Sequence, residues 1–208
     1  RQHDAVYPGL PMDGIEIDPG IVEAGQQYMG MTQPGLNVIV EDGRFALSRL
    51  EHTYTMIGID AYRVPYVPWH LTTVEFFGEV RDKLAGEGVL IMNVGRTSND
   101  RRLIEVLTST LLEVFPTVHT LDVPSSYNTI LVATVQPTDA SNLTANLDAL
   151  PADAHPVLRE ALVDAAGSIV PTVPGNRVLT DDHAPVESIV DSMVVEFLLG
   201  GGLEEFIN

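Results

Sequence analysis

The chain has 208 residues, of which 45% are hydrophobic, and 29 acidic against 11 basic residues give it a formal net charge of −18. This length predicts one folded domain or one domain with an appendage, and the hydrophobic fraction excludes a disordered acidic tail. The negative charge argues against nucleic acid or anionic membrane surfaces as partners, because both bind basic side chains. The chain contains no cysteine, which excludes disulfides, thiolate metal sites and cysteine nucleophiles.

Strand and helix patterns alternate through the first part of the chain. In chain order they predict strand 14–17, helix 19–31, strands 36–40 and 54–59, a helix capped by Thr72 or Thr73, strand 89–92, a helix after Asn99-Asp100, and strands 117–121 and 129–135. The loop between the last two strands is too short for a helical crossover, so these strands must pair antiparallel or turn sharply. Repeated strand–helix units followed by such a pair of strands predict an α/β fold. We expect a doubly wound, mostly parallel sheet with an antiparallel C-terminal hairpin.

The charge divides unevenly between two parts of the chain. Residues 1–135 hold 17 acidic and 9 basic residues, whereas residues 136–208 hold 12 and 2. We therefore predict a core domain at 1–135 and an acidic helical extension at 136–208. Helices are expected at 140–150, 156–166 and 186–198. The apolar stripe of the last helix is typical of core packing, and a partner-binding surface is the alternative.

Acidic residues follow three successive predicted strands, and ligands of such sheets bind at the carboxyl ends of the strands. Glu16 could accept both hydrogen bonds from a ribose diol. Asp42 could accept one from an exocyclic amine, while Gly43 lets the backbone approach an aromatic base closely. Asp60 leaves an apolar strand, and a partly desolvated carboxylate there can act as a base. The alternative interpretation is that all three acids are turn or helix-cap residues.

Several other polar and aromatic residues lie near these positions. Tyr62, Tyr66 and Trp69 could line a pocket or pack in the core, and His70 could assist proton transfer or be structural. The sequence DDH at 181–183 contains metal-ligand residue types, but no second cluster completes a metal site, so a cap or docking role is expected.

Five motifs resemble the spermidine synthase (polyamine aminopropyltransferase) family. The sequences GIEIDP (14–19), VEDGR (40–44) and IGIDAY (57–62) look like successive motifs of that family. The sequences PWHLTTVEFF (68–77) and LTDDHAPVE (179–187) are similar to its divergent bacterial branch. Together the motifs cover nearly the whole chain in the family's order.

The resemblance implies a Rossmann-like fold of the class I methyltransferase type that binds a nucleoside sulfonium, decarboxylated S-adenosylmethionine, as co-substrate. It implies that Glu16 holds the ribose, that Asp42 and Gly43 face the adenine, and that Asp60 takes the proton from an attacking amine. The whole implied donor site consists of Glu16, Ile17, Asp42, Gly43, Asp60 and Ala61. Tyr62, Tyr66 and His70 are the candidates for the amine pocket. The implied chemistry, part of polyamine biosynthesis, needs no metal and no redox cofactor.

Two other functions remain open from the sequence. One is an S-adenosylmethionine-dependent methyltransferase on the same fold, whose donor keeps its carboxylate. The other is a non-catalytic domain that binds nucleosides or partners through its apolar C-terminal helix.

The resemblance also implies a first strand and a Gly-rich loop before Glu16. Residues 1–13 contain a single glycine, Gly9, and no apolar strand. We therefore expect the sequence to begin inside a longer protein. The resemblance and the C-terminal helix lead us to expect a homodimer. We also expect a cytoplasmic location, with a membrane tether if membrane spans precede this chain.

Overall fold

Seven strands and eight α-helices are described in residues 2–62 and 66–200 of the computed structural model. They form two units. The first comprises the residues up to Glu51 together with Ser141–Ala166, and the second comprises His52–Ala140 with the residues from Gly167 onward. This grouping is not the predicted core and extension, and the domain assignment at residue 135 stays a prediction.

The first unit contains a two-stranded parallel sheet. Strand β1 (Met12–Glu16) pairs with β2 (Leu36–Val40) in register from Met12 and Leu36 to Glu16 and Val40. The helices of this unit are α1 (Gln2–Val6), α2 (Pro19–Tyr28), α3 (Gly43–Arg49), α6 (Ser141–Asp148) and most of α7 (Pro156–Ser168). Helix α2 begins where it does because the Asp18 carboxylate accepts from the Gly20 N–H and Pro19 occupies the first helical position.

The second unit contains a five-stranded mixed sheet. Its strands are β3 (Tyr54–Ile59), β4 (Leu84–Gly95), β5 (Thr117–Asp122), β6 (Asn128–Thr134) and β7 (Ile169–Val170), in the order β3-β4-β6-β5-β7. Strand β3 pairs parallel with β4, and the other three pairs are antiparallel. Strands β3, β4 and β5 therefore run in one direction, and β6 and β7 run in the other. The predicted antiparallel pairing of β5 with β6 is confirmed. The predicted mostly parallel character is wrong for this sheet, because β6 lies between β4 and β5 and pairs antiparallel with both.

The core of the second unit lies on one face of this sheet. Along β4, Leu90, Met92 and Val94 are fully buried, whereas Ile91 and Asn93 between them are half-buried. Helices α4 (Val74–Asp82) and α5 (Arg102–Leu112) pack against the sheet, and α8 (Val186–Leu199) packs against α5. The other fully buried large side chains of this unit are Phe77, Phe115, Leu107, Leu111, Leu131, Leu179, Val67, Val80 and Val186. Helices on both faces of the sheet, as a doubly wound fold requires, stay a prediction.

The C-terminal helix α8 was predicted from its apolar stripe. Val186, Val190 and Met193 are buried, which confirms core packing for one side of the stripe. Val194 and Leu198 are exposed at 39% and 45%. The apolar stripe of α8 is therefore wider than the part of it that is buried against the rest of the unit. Among the described residues, no helix combines the length and the apolar character needed to cross a bilayer.

All the predicted strands and helices are present, but four elements were not predicted. These are α1, α3, β7 and a 3-10 helix at Trp69–Leu71. Strand β4 also begins at Leu84, before the predicted position 89. The glycines at 86 and 88 suggest a turn in the sequence. In the structure, a register shift between Tyr54 and Met56 of β3 keeps this segment in the sheet.

We predict that the two units differ in local stability. Within the described residues of the first unit, the buried hydrophobic side chains are Val22, Ala46 and Leu47, whereas the second unit holds a continuous core. Local unfolding is easier where less apolar surface is buried. Hydrogen exchange measured by mass spectrometry should therefore show slow exchange in β4 and β6 and faster exchange in β1 and β2. Equal protection of the two sheets would contradict this account.

Candidate functional site

Two of the three strand-end acids lie at one edge of the first unit's sheet. Glu16 is the last residue of β1, and Asp42 comes two residues after β2. Because the two strands are parallel, their carboxyl ends meet, and the Glu41 N–H donates to the Glu16 carbonyl at 3.2 Å. Both acidic residues are half-buried. The structure thus brings Glu16 and Asp42 to the edge where ligands of parallel sheets bind.

Both carboxylates also stabilise the backbone that follows them. Glu16 Oε1 accepts from the Asp18 N–H at 2.9 Å. Asp42 Oδ1 accepts from the N–H groups of Arg44 at 3.1 Å and Phe45 at 3.0 Å, and so caps α3. The cap role that the sequence left open is therefore present at Asp42. A ligand role for Glu16 and Asp42 beside these backbone contacts stays a prediction.

The remaining residues of the predicted donor site in this unit flank these acids. Ile17, directly after β1, is 67% exposed. Gly43 is the first residue of α3 and is half-buried. Their contacts with a nucleoside stay a prediction.

Asp60 belongs to the second unit, where it is the first residue after β3. The register of β3 with β4 ends at Ile59 and Met92, so Asp60 lies beside Asn93 of β4. The Asn93 Nδ2 donates to Asp60 Oδ1 at 2.9 Å. Asp60 is exposed, so the residues of this unit do not desolvate it as the sequence analysis expected. The physical reason for the exposure of Asp60 is that β3 is an edge strand of the described five-stranded sheet.

Tyr62 is held against the same residue of β4. Its hydroxyl donates to the Asn93 backbone carbonyl at 2.8 Å. Burial raises the pKa of Tyr62 to about 12, a backbone hydrogen bond at Gly95 opposes this shift, and the charge of Asp60 adds to it. Tyr62 is therefore protonated at neutral pH and acts as a hydrogen-bond donor rather than a base. Ala61, between Asp60 and Tyr62, is half-buried.

The other two candidates for the amine pocket make contacts elsewhere in the second unit. The Tyr66 hydroxyl donates to Asp191 Oδ1 of α8 at 2.6 Å, and this hydrogen bond raises the pKa of Tyr66. His70 lies in the 3-10 helix, with its ring edge-on to Trp69 at a centroid distance of 5.9 Å. Roles for Tyr66 and His70 at the amine stay predictions.

A group of charged residues joins the carboxyl ends of β4 and β5. Asp122, the last residue of β5, accepts two hydrogen bonds from Arg101 at 2.7 and 2.9 Å and one from Thr129 at 2.7 Å. Arg96 Nε lies 3.6 Å from the same carboxylate. Burial acts to raise the pKa of Asp122, but the hydrogen bonds from Arg101 and Thr129 outweigh it, and the pKa lies below its ordinary value.

The acidic sequence at 181–183 docks against α4. The hydroxyl of Thr73, the N-cap of α4, donates to Asp181 Oδ1 at 2.7 Å, and the Asp181 N–H donates to a Glu75 carboxylate oxygen at 2.9 Å. Thr180 and His183 exchange two backbone hydrogen bonds at 3.2 and 2.9 Å. These contacts agree with the docking role that the sequence predicts for this segment.

Comparison with known proteins decides the family. The spermine/spermidine synthase domain matches residues 8–146, which is more than half of the chain. This chain belongs to the spermine/spermidine synthase family. A relative from Bifidobacterium longum, described as a probable polyamine aminopropyl transferase, is 34% identical over 137 residues. That alignment covers 64% of this chain and 30% of the relative, so the chain spans about a third of that protein's length.

Solved structures agree with the family in fold. A probable spermidine synthase from Corynebacterium glutamicum superposes with a TM-score of 0.63 at 23% identity, covering 79% of this chain and 65% of the other. Human methyltransferase-like protein 13 in complex with SAH superposes with a TM-score of 0.58 at 25% identity, covering 66% of each chain. This chain therefore has the α/β fold shared by spermidine synthases and methyltransferases.

The sequence analysis missed two features of this site. Asn93 directly follows the predicted strand 89–92, and the rule that ligands bind at carboxyl ends of strands could have singled it out. The contact between Asp122 and Arg101 spans 21 residues, and no local pattern in the sequence indicates it.

The lowered pKa of Asp122 predicts how stability depends on pH. A carboxylate whose pKa is lowered by folding stabilises the folded state above its unfolded pKa of about 3.9, and this contribution is lost as the pH falls through the lowered value. Urea unfolding should therefore show that Asp122→Asn is less stable than the wild type at pH 6, with a smaller difference near pH 3. Asp153→Asn, at an exposed position, is the control and should change little. A difference for Asp122→Asn that is independent of pH would contradict the assignment.

Proposed function

We propose that this chain transfers an aminopropyl group from decarboxylated S-adenosylmethionine to an amine. Membership of the spermine/spermidine synthase family supports the reaction class. The single observation that carries the proposal is Asp60 at the carboxyl end of β3, hydrogen-bonded to Asn93 of the parallel strand β4. That position suits a proton acceptor in a sheet of this type.

The donor nucleoside would bind through the residues at the carboxyl edge of β1 and β2. Glu16 would accept both hydrogen bonds of the ribose diol, with Ile17 beside it. Asp42 would accept from the exocyclic amine of the adenine, and Gly43 would let the ring approach the backbone. This arrangement is supported by the position of Glu16 and Asp42 at one edge of the parallel pair β1 and β2.

The transfer itself is a substitution at carbon. The lone pair of the amine nitrogen attacks the propyl carbon attached to the sulfonium, the C–N bond forms as the C–S bond breaks, and the C–S electrons stay on sulfur. Methylthioadenosine leaves as a neutral thioether, and the proton of the new ammonium passes to Asp60. The protein contributes orientation and proton acceptance, and Tyr62, whose hydroxyl donates to the Asn93 carbonyl, supports the segment that carries Asp60.

A methyltransferase is the second candidate. The similarity to human methyltransferase-like protein 13 in complex with SAH favours it. Its donor would be S-adenosylmethionine, which differs from the aminopropyl donor by a carboxylate. Discrimination against that carboxylate therefore separates the two functions.

Isothermal titration calorimetry tests which sulfonium donor the chain binds, because it ranks the affinities of the candidate ligands. We expect methylthioadenosine and decarboxylated S-adenosylmethionine to bind, and S-adenosylmethionine to bind at least about tenfold more weakly because its carboxylate finds no partner. Glu16→Gln should weaken the binding of all three ligands. Glu23→Gln, a change at an exposed position on α2, should leave the three affinities unchanged. Tighter binding of S-adenosylmethionine would favour a methyltransferase, and no binding of any ligand would exclude both enzymes.

Substitution of the proposed base tests the chemistry. Asp60→Asn should lower kcat by about a hundredfold or more, because general-base catalysis contributes about 10²–10⁴-fold. Its affinity for methylthioadenosine should stay within about threefold of the wild type, since the ribose and adenine contacts are unchanged. Asp82→Asn, at the exposed end of α4, is the matched control for loss of one carboxylate. Full turnover by Asp60→Asn would refute the role of Asp60.

A further inference from the structure

We propose that Asn93 is a positioning residue that holds the Asp60 carboxylate in the orientation needed to accept the proton. This inference rests on the proposed function and adds a residue to it. The geometry is a direct contact: the Asn93 Nδ2 donates to Asp60 Oδ1 at 2.9 Å. The reverse orientation of the amide would place two acceptor oxygens against each other, so the donor must face Asp60.

The contact matters because few of the described residues hold the Asp60 side chain in place. Asp60 is exposed and follows β3, which is an edge strand of the described five-stranded sheet. An exposed aspartate side chain on such a strand samples several rotamers, and only some of them point an oxygen at the substrate. A hydrogen bond to Oδ1 reduces this freedom and leaves Oδ2 with its lone pairs for the proton. Small errors in such an orientation are costly in catalysis.

The backbone of Asn93 supports the same segment. Its carbonyl oxygen accepts the hydrogen bond of the Tyr62 hydroxyl at 2.8 Å. The raised pKa of Tyr62 keeps that hydroxyl protonated near neutral pH. One residue of β4 thus holds both Asp60 and Tyr62, two residues apart, by its side chain and its main chain.

The amide of Asn93 has no advantage for stability at this position. Its Oδ1 is buried and has no hydrogen-bond partner among the described residues. The residue on the same face of β4, Ile91, is apolar and half-buried. A leucine of similar size would avoid the unpaired acceptor, and a buried polar group without a partner is destabilising. Within the part of the chain that the structure describes, the side-chain interaction that asparagine makes and leucine lacks is the donation to Asp60.

The first unit offers a matched control. Asn37 of β2 lies opposite Asp13 of β1, and its Nδ2 donates to Asp13 Oδ1 at 2.7 Å. This is the same side-chain pair on the same kind of parallel strands. The pair has no part in the proposed chemistry.

The test uses the full chain and the substitutions Asn93→Leu and Asn37→Leu. With decarboxylated S-adenosylmethionine and a series of linear diamines, Asn93→Leu should lower kcat by about 10- to 100-fold, because a misplaced catalytic group can cost about a hundredfold. Its KM for the donor should change less than about threefold, and its Tm should equal or exceed that of the wild type. Asn37→Leu should leave kcat unchanged. Unchanged kcat in Asn93→Leu, or a loss of kcat that accompanies a lower Tm, would overturn the positioning role.

A double substitution separates positioning from an independent effect. If Asn93 acts through Asp60, adding Asn93→Leu to Asp60→Asn should cause no further loss of the residual kcat. An additional loss equal to that of Asn93→Leu alone would show that Asn93 acts independently, which overturns the proposal.

Failure of the proposed function can be distinguished from failure of this inference. If the wild-type chain transfers no aminopropyl group, the function is wrong, and the contact is tested by nuclear magnetic resonance. The side-chain amide protons of Asn93 should exchange slowly in the wild type, faster in Asp60→Ala, and unchanged in Asp13→Ala. Equal exchange in the wild type and Asp60→Ala would overturn the contact itself.

Discussion

The parallel pairing of β3 with β4 is the constraint on which the candidate site depends. It sets the register in which Ile59 faces Met92, and it therefore places the next residues, Asp60 and Asn93, at one edge of the sheet. Side chains alternate along a strand, so Asn93 lies on the half-buried face while Met92 enters the core. A shift by one residue would reverse these faces and remove the Asp60 contact.

The acidic composition acquires a more specific meaning from these contacts. Glu16 and Asp42 both hold backbone N–H groups at the ends of their strands, and Asp122 holds Arg101. Local carboxylate–backbone contacts and ion pairs of this kind account for several of the 29 acidic residues. The net charge by itself argues only against certain partners, whereas the position of a few acids at strand ends indicates where a ligand could bind. Capping and ligand binding are compatible roles for such residues.

Much of the fold could be predicted because its signals are local. The apolar period of α5 and α8 and the apolar strands β3 and β4 are visible in sequence. By contrast, α3 was missed because Asp42-Gly43 reads as a turn, although the same aspartate caps a helix. The donor site residues could be proposed from strand ends and family motifs. The strand-end rule could also have drawn attention to Asn93, but its contact with Asp60, 33 residues away in sequence, could not be predicted.

The most direct test of the account is analysis of the reaction products. The chain would be incubated with a linear diamine and, separately, with decarboxylated S-adenosylmethionine or S-adenosylmethionine, and the products would be identified by mass spectrometry. The account predicts equal amounts of methylthioadenosine and aminopropylated amine with the decarboxylated donor, and no product with the other. A methylated product formed from S-adenosylmethionine, with no aminopropylated amine, would contradict it.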